Sequence, residues 1–492
     1  MTTIAEPTAI PVEEVRTREP QLPSTRYATL AILGFTLFML LVLVGGKPHL
    51  VRLGYPVLAM AIGVWLYQRG PGGYIMFAWW LWHVTPGFRR IEDYLAGGYD
   101  PQNPMSLTPF LVSALAAFSV ARRLPELRRL RFIPWGIAAS ALIYGYFVGL
   151  LKLGIMPATH ALISWLIPLV FGLYCAVNWR RYPEIESAMR KAFLLGSLVL
   201  AIYGINQFLA PPEWDKYWMT NSGMYSVGRA FPYEVRVFSL VNAPLPFATI
   251  LVAGLFLQLA GRGLKRAIPL ALGVAALLLS LVRSVWLAGL VGLVVYLLAL
   301  PRRTLRPMVI STLVAIGVVV LAPAFLPEEM AGPTKRIVTE RLLTFTNLKH
   351  DVSYKDRASF LQNISQTVLR EPFGHGLGST GVSSTLNGGS GEGIRDFDNG
   401  VFAVLYSLGW VAGAIYLASV LAMVLLGMPR REQRDDYTAK AARAVGVTSL
   451  VLAFGGNVFE GVSGACLWGF AGLLVASHQW RAMHGDGQEA GT

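Results

Sequence analysis

The sequence is poor in charge. Asp, Glu, Lys and Arg together make up 14% of its 492 residues, where a water-soluble domain carries about a quarter. A water-facing surface over the whole chain is therefore excluded. Cysteine is nearly absent: Cys175 and Cys466 both lie in apolar stretches, which excludes a disulfide framework and a cysteine metal site. The first 26 residues mix Glu6, Glu13, Glu14 and Glu19 with Arg16, Arg18, Arg26 and several prolines. They lack the apolar centre of a cleavable signal, so the first helix is expected to stay in the mature protein. The net charge of +14 sits in short blocks between apolar runs, with no basic stripe of interleaved aromatics. Nucleic acid is thus not an expected partner. No carboxylate cluster calls for a divalent metal, and no strand precedes the glycine-rich stretch as a dinucleotide site requires, so no cofactor is expected.

What is abundant is apolar sequence: 54% of residues are hydrophobic. Runs of roughly 17 to 25 apolar residues, enough to cross a bilayer, recur along almost the whole chain. They predict an all-α, polytopic transmembrane bundle of about 14 spans. The spans fall near 27–46, 51–67, 73–85, 105–120, 132–151, 157–178, 191–210, 239–260, 267–282, 284–300, 307–326, 399–427, 443–459 and 461–480. The chain accordingly divides into a flexible tail (1–26), a helical block with short loops (27–326), a large loop (327–398), C-terminal helices (399–480) and a second tail (481–492).

Five basic blocks set the topology: Arg122 to Arg131, Arg180 to Lys191, Arg262 to Arg266, Arg302 to Arg306 and Arg430 to Arg443. All five fall on one side if the spans alternate, and the positive-inside bias makes that side the cytoplasm, shared by both termini. The opposite side receives Pro211 to Ser239 and the long polar loop Pro327 to Asp398, in which Asp356–Leu369 has the spacing of an amphipathic helix. A loop of that length in a compact protein is usually functional, and the chemistry is expected there.

Arg283, in LLLSLVRSVWLAGLVGLV, lies at the membrane boundary, where an ionisable group is costly and is usually functional or paired. A snorkelling arginine at a tight turn is the bland alternative. Arg236 opens RVFSLVNAPLPFA, in which Asn242 and two prolines predict either a broken helix end beside a substrate or a structural kink. In the large loop, GHGLGSTG is readable as an anion cradle of backbone N–H groups or as a mobile linker. Asp398 and Asn399 stand where that loop enters a span, and Asp398 suits either a general base or a helix cap. Glu460, in the turn FGGNVFEGVSG, and His375, the histidine of the glycine run, are two further proton-transfer candidates. Several arginines and few acids on one face suit a di-anion such as pyrophosphate, although lipid head groups attract the same residues.

The stretch from Arg229 to Trp468 resembles the O-antigen ligase and Wzy-type polysaccharide polymerase superfamily, bacterial inner-membrane glycosyltransferases of the GT-C type. RVFSLVNAPLPFA, LVRSVWLAGLVG, DRASFLQNISQTVLREPFGHGLGSTG and DNGVFAVLYSLGWVAG carry the resemblance by their order around one long loop. It implies a GT-C-like bundle with a partly helical periplasmic loop and a polyprenyl-pyrophosphate-linked glycan as donor. It also implies a glycan acceptor, and membrane lipids, a flippase and a chain-length regulator as partners. Arg236 and Arg283 match arginines that hold the donor pyrophosphate; Arg357 and Arg370 match loop positions near the same cavity; Asn242, Trp286 and Asn399 support them. Asp398, Glu460 or His375 would take the acceptor proton in an inverting transfer that needs neither metal nor nucleotide sugar. The ligases carry a His-Asn-like pair where this chain has Asp398-Asn399, which favours a polymerase over a ligase acting on lipid A core. A transporter fits less well, because the suspicious arginines gather at one surface and inverted half-repeats are not apparent.

Overall fold

The computed structural model describes residues 24–261, 267–301, 304–306, 309, 310, 313, 317, 368, 370–386, 399–426 and 436–484. Arg357 and Asp398, and the expected amphipathic helix 356–369 apart from one residue, lie outside them. Among the described residues the regular secondary structure is helical, without a strand. In order the helices are α1 Ser24–Val44, α2 Pro48–Arg69, α3 Pro71–Leu95, α4 Thr108–Ala114, α5 Ala116–Arg122, α6 Ile133–Leu153, α7 Ile155–Val177 and α8 Tyr182–Leu209. They continue with α9 Glu213–Asn221, α10 Pro244–Ala260, α11 Ala267–Leu279, α12 Arg283–Leu298, α13 Gly400–Leu426, α14 Tyr437–Leu452 and α15 Gly461–His484. Eight segments are long and apolar enough to cross a membrane, and α10, α11 and α12 are shorter apolar helices.

Side-chain exposure sorts these helices by solvent. On α1 and α2, Leu30, Leu33, Leu37, Leu41, Leu53 and Val57 point outward, a face that water would penalise and lipid accepts. Helix α3 runs through the interior instead, with Trp79 fully buried against Phe193, Phe171 and Phe470. Here the chain departs from the expected span 73–85: α3 continues ten residues further, through Arg89, Arg90, Glu92 and Asp93. The charges are tolerated because they pair. Arg52 reaches Glu92 at 2.9 Å, Arg89 reaches Asp93 at 3.3 Å, and Asn103 donates to Glu92 at 2.6 Å and to Asp93 at 2.9 Å.

The basic blocks within the described residues gather at one end of the bundle, as the alternation predicts. Arg123 donates to the Val177 carbonyl at the end of α7, and Thr304 meets the Tyr437 hydroxyl at 3.2 Å. Asp436, the cap of α14, accepts from Tyr182 at 2.6 Å and from Ser477 at 2.7 Å, with Arg481 at 3.6 Å. We call this end the arginine face. The opposite end, the loop face, carries α9, the irregular segment 222–243, the α11–α12 turn, residues 371–386 and the turn 453–460.

Candidate functional site

The loop face is built from backbone that is not helical, so its hydrogen bonds need other partners. The expected span 239–260 begins only at Pro244, the first residue of α10, and residues 236–243 form an irregular strap. The Arg236 N–H bonds the Val227 carbonyl at 2.9 Å, and the Val237 N–H bonds the Leu279 carbonyl at 3.1 Å. The strap is thereby laid along the α11–α12 turn. Tyr233, Ser239 and Leu281 are the non-glycine residues of positive φ among those described, and all three belong to the strap, its approach and that turn. Backbone strain of this kind costs on the order of 1–3 kcal/mol per residue and clusters at functional sites.

Arg236 donates to the carbonyl of Ser226 at 2.9 Å and contacts that of Leu281 at 3.5 Å. Leu281 lies two residues before Arg283, which is the first residue of α12. The structure therefore brings the two arginines to one turn, on the face away from the basic blocks. An arginine at a helix N-terminus adds a cation where the macrodipole is already positive, a position that suits an anion placed between them. Trp286 packs underneath, buried, with its indole N–H on the Leu277 carbonyl at 3.0 Å; its role is to pin the turn. Asn242 accepts from Arg90 at 3.2 Å.

The turn 453–460 joins this corner to the other predicted residues. Gly455 packs on Ser284, and Gly456 on Leu245. The Phe454 carbonyl accepts from the Asn399 amide at 3.2 Å, while Asn399 Oδ1 accepts from the Phe402 N–H at 3.1 Å. The capping role considered for Asp398 thus belongs to Asn399. Glu460 ends the turn, partly exposed, and accepts from Trp165 at 3.0 Å and Asn457 at 2.9 Å. Loss of hydration pushes its carboxyl up to about 7, with the hydrogen bonds from Trp165, Ser164 and Asn457 limiting the rise. A group poised there exchanges protons readily near neutral pH.

The glycine run is packed against the bundle over its first half: the N–H groups of Gly374 to Leu377 are committed to protein carbonyls. The His375 and Gly376 amides bond the Tyr406 and Ser407 carbonyls at 2.9 and 2.8 Å, and the Leu377 amide bonds Gly145 at 2.8 Å. Those acceptors on α13 are available because the helix breaks at Gly409, whose φ is 79°. Gly409 lies nine residues below the start of α13, about 13 Å along a helix, so irregular backbone enters the bundle and is satisfied within it, as the bilayer requires. His375 stacks on Tyr406 with ring centroids 3.9 Å apart and its Nδ1 3.3 Å from the Tyr406 carbonyl. Arg370 is exposed at the rim. Beside this run, His160 of α7 meets the buried Ser383 hydroxyl at 2.8 Å.

Reading the sequence missed the most buried polar group of this face. Arg90 is fully buried, with Nε 2.8 Å from Asp215, and its other nitrogens hold the strap. The available signals were RRIED at the end of an apolar run and a lone Asp in PPEWDKYW.

No curated protein matches the chain. Residues 268–417 match the O-antigen ligase family (Wzy_C), a stretch that contains Arg283, Arg370, His375 and Asn399 and leaves Arg236, Asn242 and Glu460 outside it. With its helices and its apolar outer surface the chain is a polytopic helical membrane protein, and its segment running from α11 into α13 is similar to the O-antigen ligase family.

Proposed function

We propose that the protein is a lipid-carrier-dependent glycosyltransferase of a bacterial inner membrane. It extends a polysaccharide from polyprenyl-pyrophosphate-linked repeat units at a periplasmic loop face, with both termini in the cytoplasm. The observation that carries this reading is the meeting of Arg236 with the turn that presents Arg283 at the N-terminus of α12. Two guanidinium groups and a helix dipole suit the diphosphate of a lipid carrier held at the membrane surface. Their charge stabilises the leaving group as its bond to the anomeric carbon breaks. An acceptor sugar hydroxyl attacks that carbon from the opposite side, which inverts its configuration. The hydroxyl proton passes to a carboxylate, for which Glu460 is favoured by its pKa of about 7 and Asp398 is the alternative beside the cap residue Asn399. His375 ranks below them, because its ring lies flat on Tyr406. Arg357 and Arg370 are assigned to the same donor cavity by resemblance.

The family description favours a second reading, transfer of finished glycan to lipid A core by a ligase. Deleting the gene separates the two: short lipid-linked repeats accumulate if the enzyme polymerises, long unattached chains if it ligates. For either reaction, Arg283→Ala abolishes product formed by the purified protein from lipid-linked repeat units while membrane insertion stays normal. Wild-type product from that variant overturns the donor site.

A further inference from the structure

We propose that Arg90, Asp215 and Gln207 form a positioning clamp that aims Arg236 at the carrier diphosphate, an inference that rests on the donor-site reading above. The argument begins with the backbone of the strap. Residues 236–243 belong to no helix, and Ser239 has a φ of 52°, so left alone the strap has many conformations open to it. Gln207 Oε1 takes the N–H groups of Phe238 and Ser239 at 3.1 and 2.9 Å. Arg90 takes the carbonyls of Val241, at 2.7 Å, and Ser239, and the side chain of Asn242 at 3.2 Å. Asp215 closes the circuit: one oxygen accepts from Arg90 at 2.8 Å, the other from Gln207 at 2.6 Å and Tyr203 at 2.9 Å. The guanidinium also lies 4.9 Å over the Phe238 ring and 5.7 Å from that of Trp218.

Two features separate a clamp from ordinary stabilisation. First, Arg90, Asp215 and Gln207 are each fully buried, so no ligand touches them, and any effect on the donor passes through the strap. Second, a buried ion pair contributes little net stability compared with apolar residues of the same volume. What a rigid guanidinium fork adds is geometry: it holds two carbonyls and a carboxylate in one fixed arrangement, which a lysine cannot do. The clamped residues begin at Phe238, two positions beyond Arg236, so a strap that slips carries the Arg236 guanidinium with it.

The test uses the full-length protein in lipid nanodiscs, with binding of a polyprenyl pyrophosphate and separate donor and acceptor KM values as readouts. Arg90→Lys should weaken carrier binding on the order of 100-fold, the scale of a displacement of about 1 Å at a site, and leave the acceptor KM unchanged. Adding it to Arg236→Ala should cost nothing further, because residues acting through one group are not additive. Wild-type carrier affinity in Arg90→Lys, an equal rise in both KM values, or a fully additive loss in the double variant overturns the clamp. If Arg90→Lys does not accumulate folded, Gln207→Met, which keeps the ion pair, is read by the same criteria. If Arg236→Ala itself binds the carrier normally, the donor-site reading falls and the clamp with it. If Arg236→Ala loses binding and the clamp variants do not, only the clamp falls.

Discussion

Two irregular segments enter the loop face, and they are held by opposite means. Beyond Arg236 and Val237, whose N–H groups meet backbone carbonyls, the strap 236–243 is gripped by side chains: Gln207 accepts from its N–H groups and Arg90 donates to its carbonyls. The glycine run 374–378 is gripped by bare backbone pressed on α6, α7 and the break in α13. A side-chain grip leaves room for the strap to carry a large cation such as Arg236. A backbone grip leaves none, and the close approach demands glycine. At Gly376, with φ of 91°, an added Cβ would stand 2.2 Å from the Gly149 nitrogen. The first arrangement suits a ligand site and the second suits a seal between helices.

Substitutions that remove one kind of grip sharpen this contrast. The largest effect is expected from Arg90→Ala or Asp215→Ala, which strands a buried charge at a cost of about 3–5 kcal/mol, read by thermal unfolding of the purified protein. The pair Arg90→Met with Asp215→Leu should recover much of that stability while carrier binding stays lost; recovery of both would show that the grip has no bearing on the site. Next in size is Gly376→Ala. Overpacking costs about 1–3 kcal/mol, and the left-handed backbone adds about 1 kcal/mol or more. Gly149→Ala presses on the same crossing from the other side, 2.2 Å from the Leu377 carbonyl, without a positive φ. It should therefore cost less, and equal losses would refute the role of backbone conformation. Asn399→Ala removes the cap of α13 and should cost about 1 kcal/mol, with Asn399→Ser restoring most of it.

A pH-dependent effect is expected at Glu460. Its carboxyl is raised from 4.5 to about 7, so between those values the folded protein keeps a proton that the unfolded chain has lost. Its contribution makes stability decline as pH rises through that window, and Glu460→Gln should flatten the slope. As a base it acts deprotonated, so the rate should climb with pH through about 7. A Glu460→Gln enzyme that keeps the same climb would move the proton transfer to another group.

The legible part of the site was the part that violates a rule of the membrane. Arg283 stood out because arginine at the membrane boundary is costly, Arg236 because it opens a segment broken by Asn242 and two prolines, and Glu460 as an acid in the short turn between two spans. Arg90 breaks the same rule, yet it was hidden: RRIED reads as a polar loop after a span until α3 is seen to continue through it. Its partner Asp215 is 125 residues away, and pairing at that distance leaves no local pattern. The packing of the glycine run was hidden for a related reason. Its composition allows a cradle or a linker alike, and the carbonyls freed at Gly409 that receive His375 and Gly376 lie on another helix.

By itself the sequence determined the solvent and the all-helical, membrane-spanning class, whereas about 14 spans were expected and the described residues hold eight helices long and apolar enough to cross, with three shorter ones. Solvent and class follow from transfer free energies summed over contiguous residues, which need no knowledge of contacts. The tertiary structure alone decided how the irregular backbone is satisfied and which charges meet, because those energies depend on distance and shared burial between residues far apart in the chain.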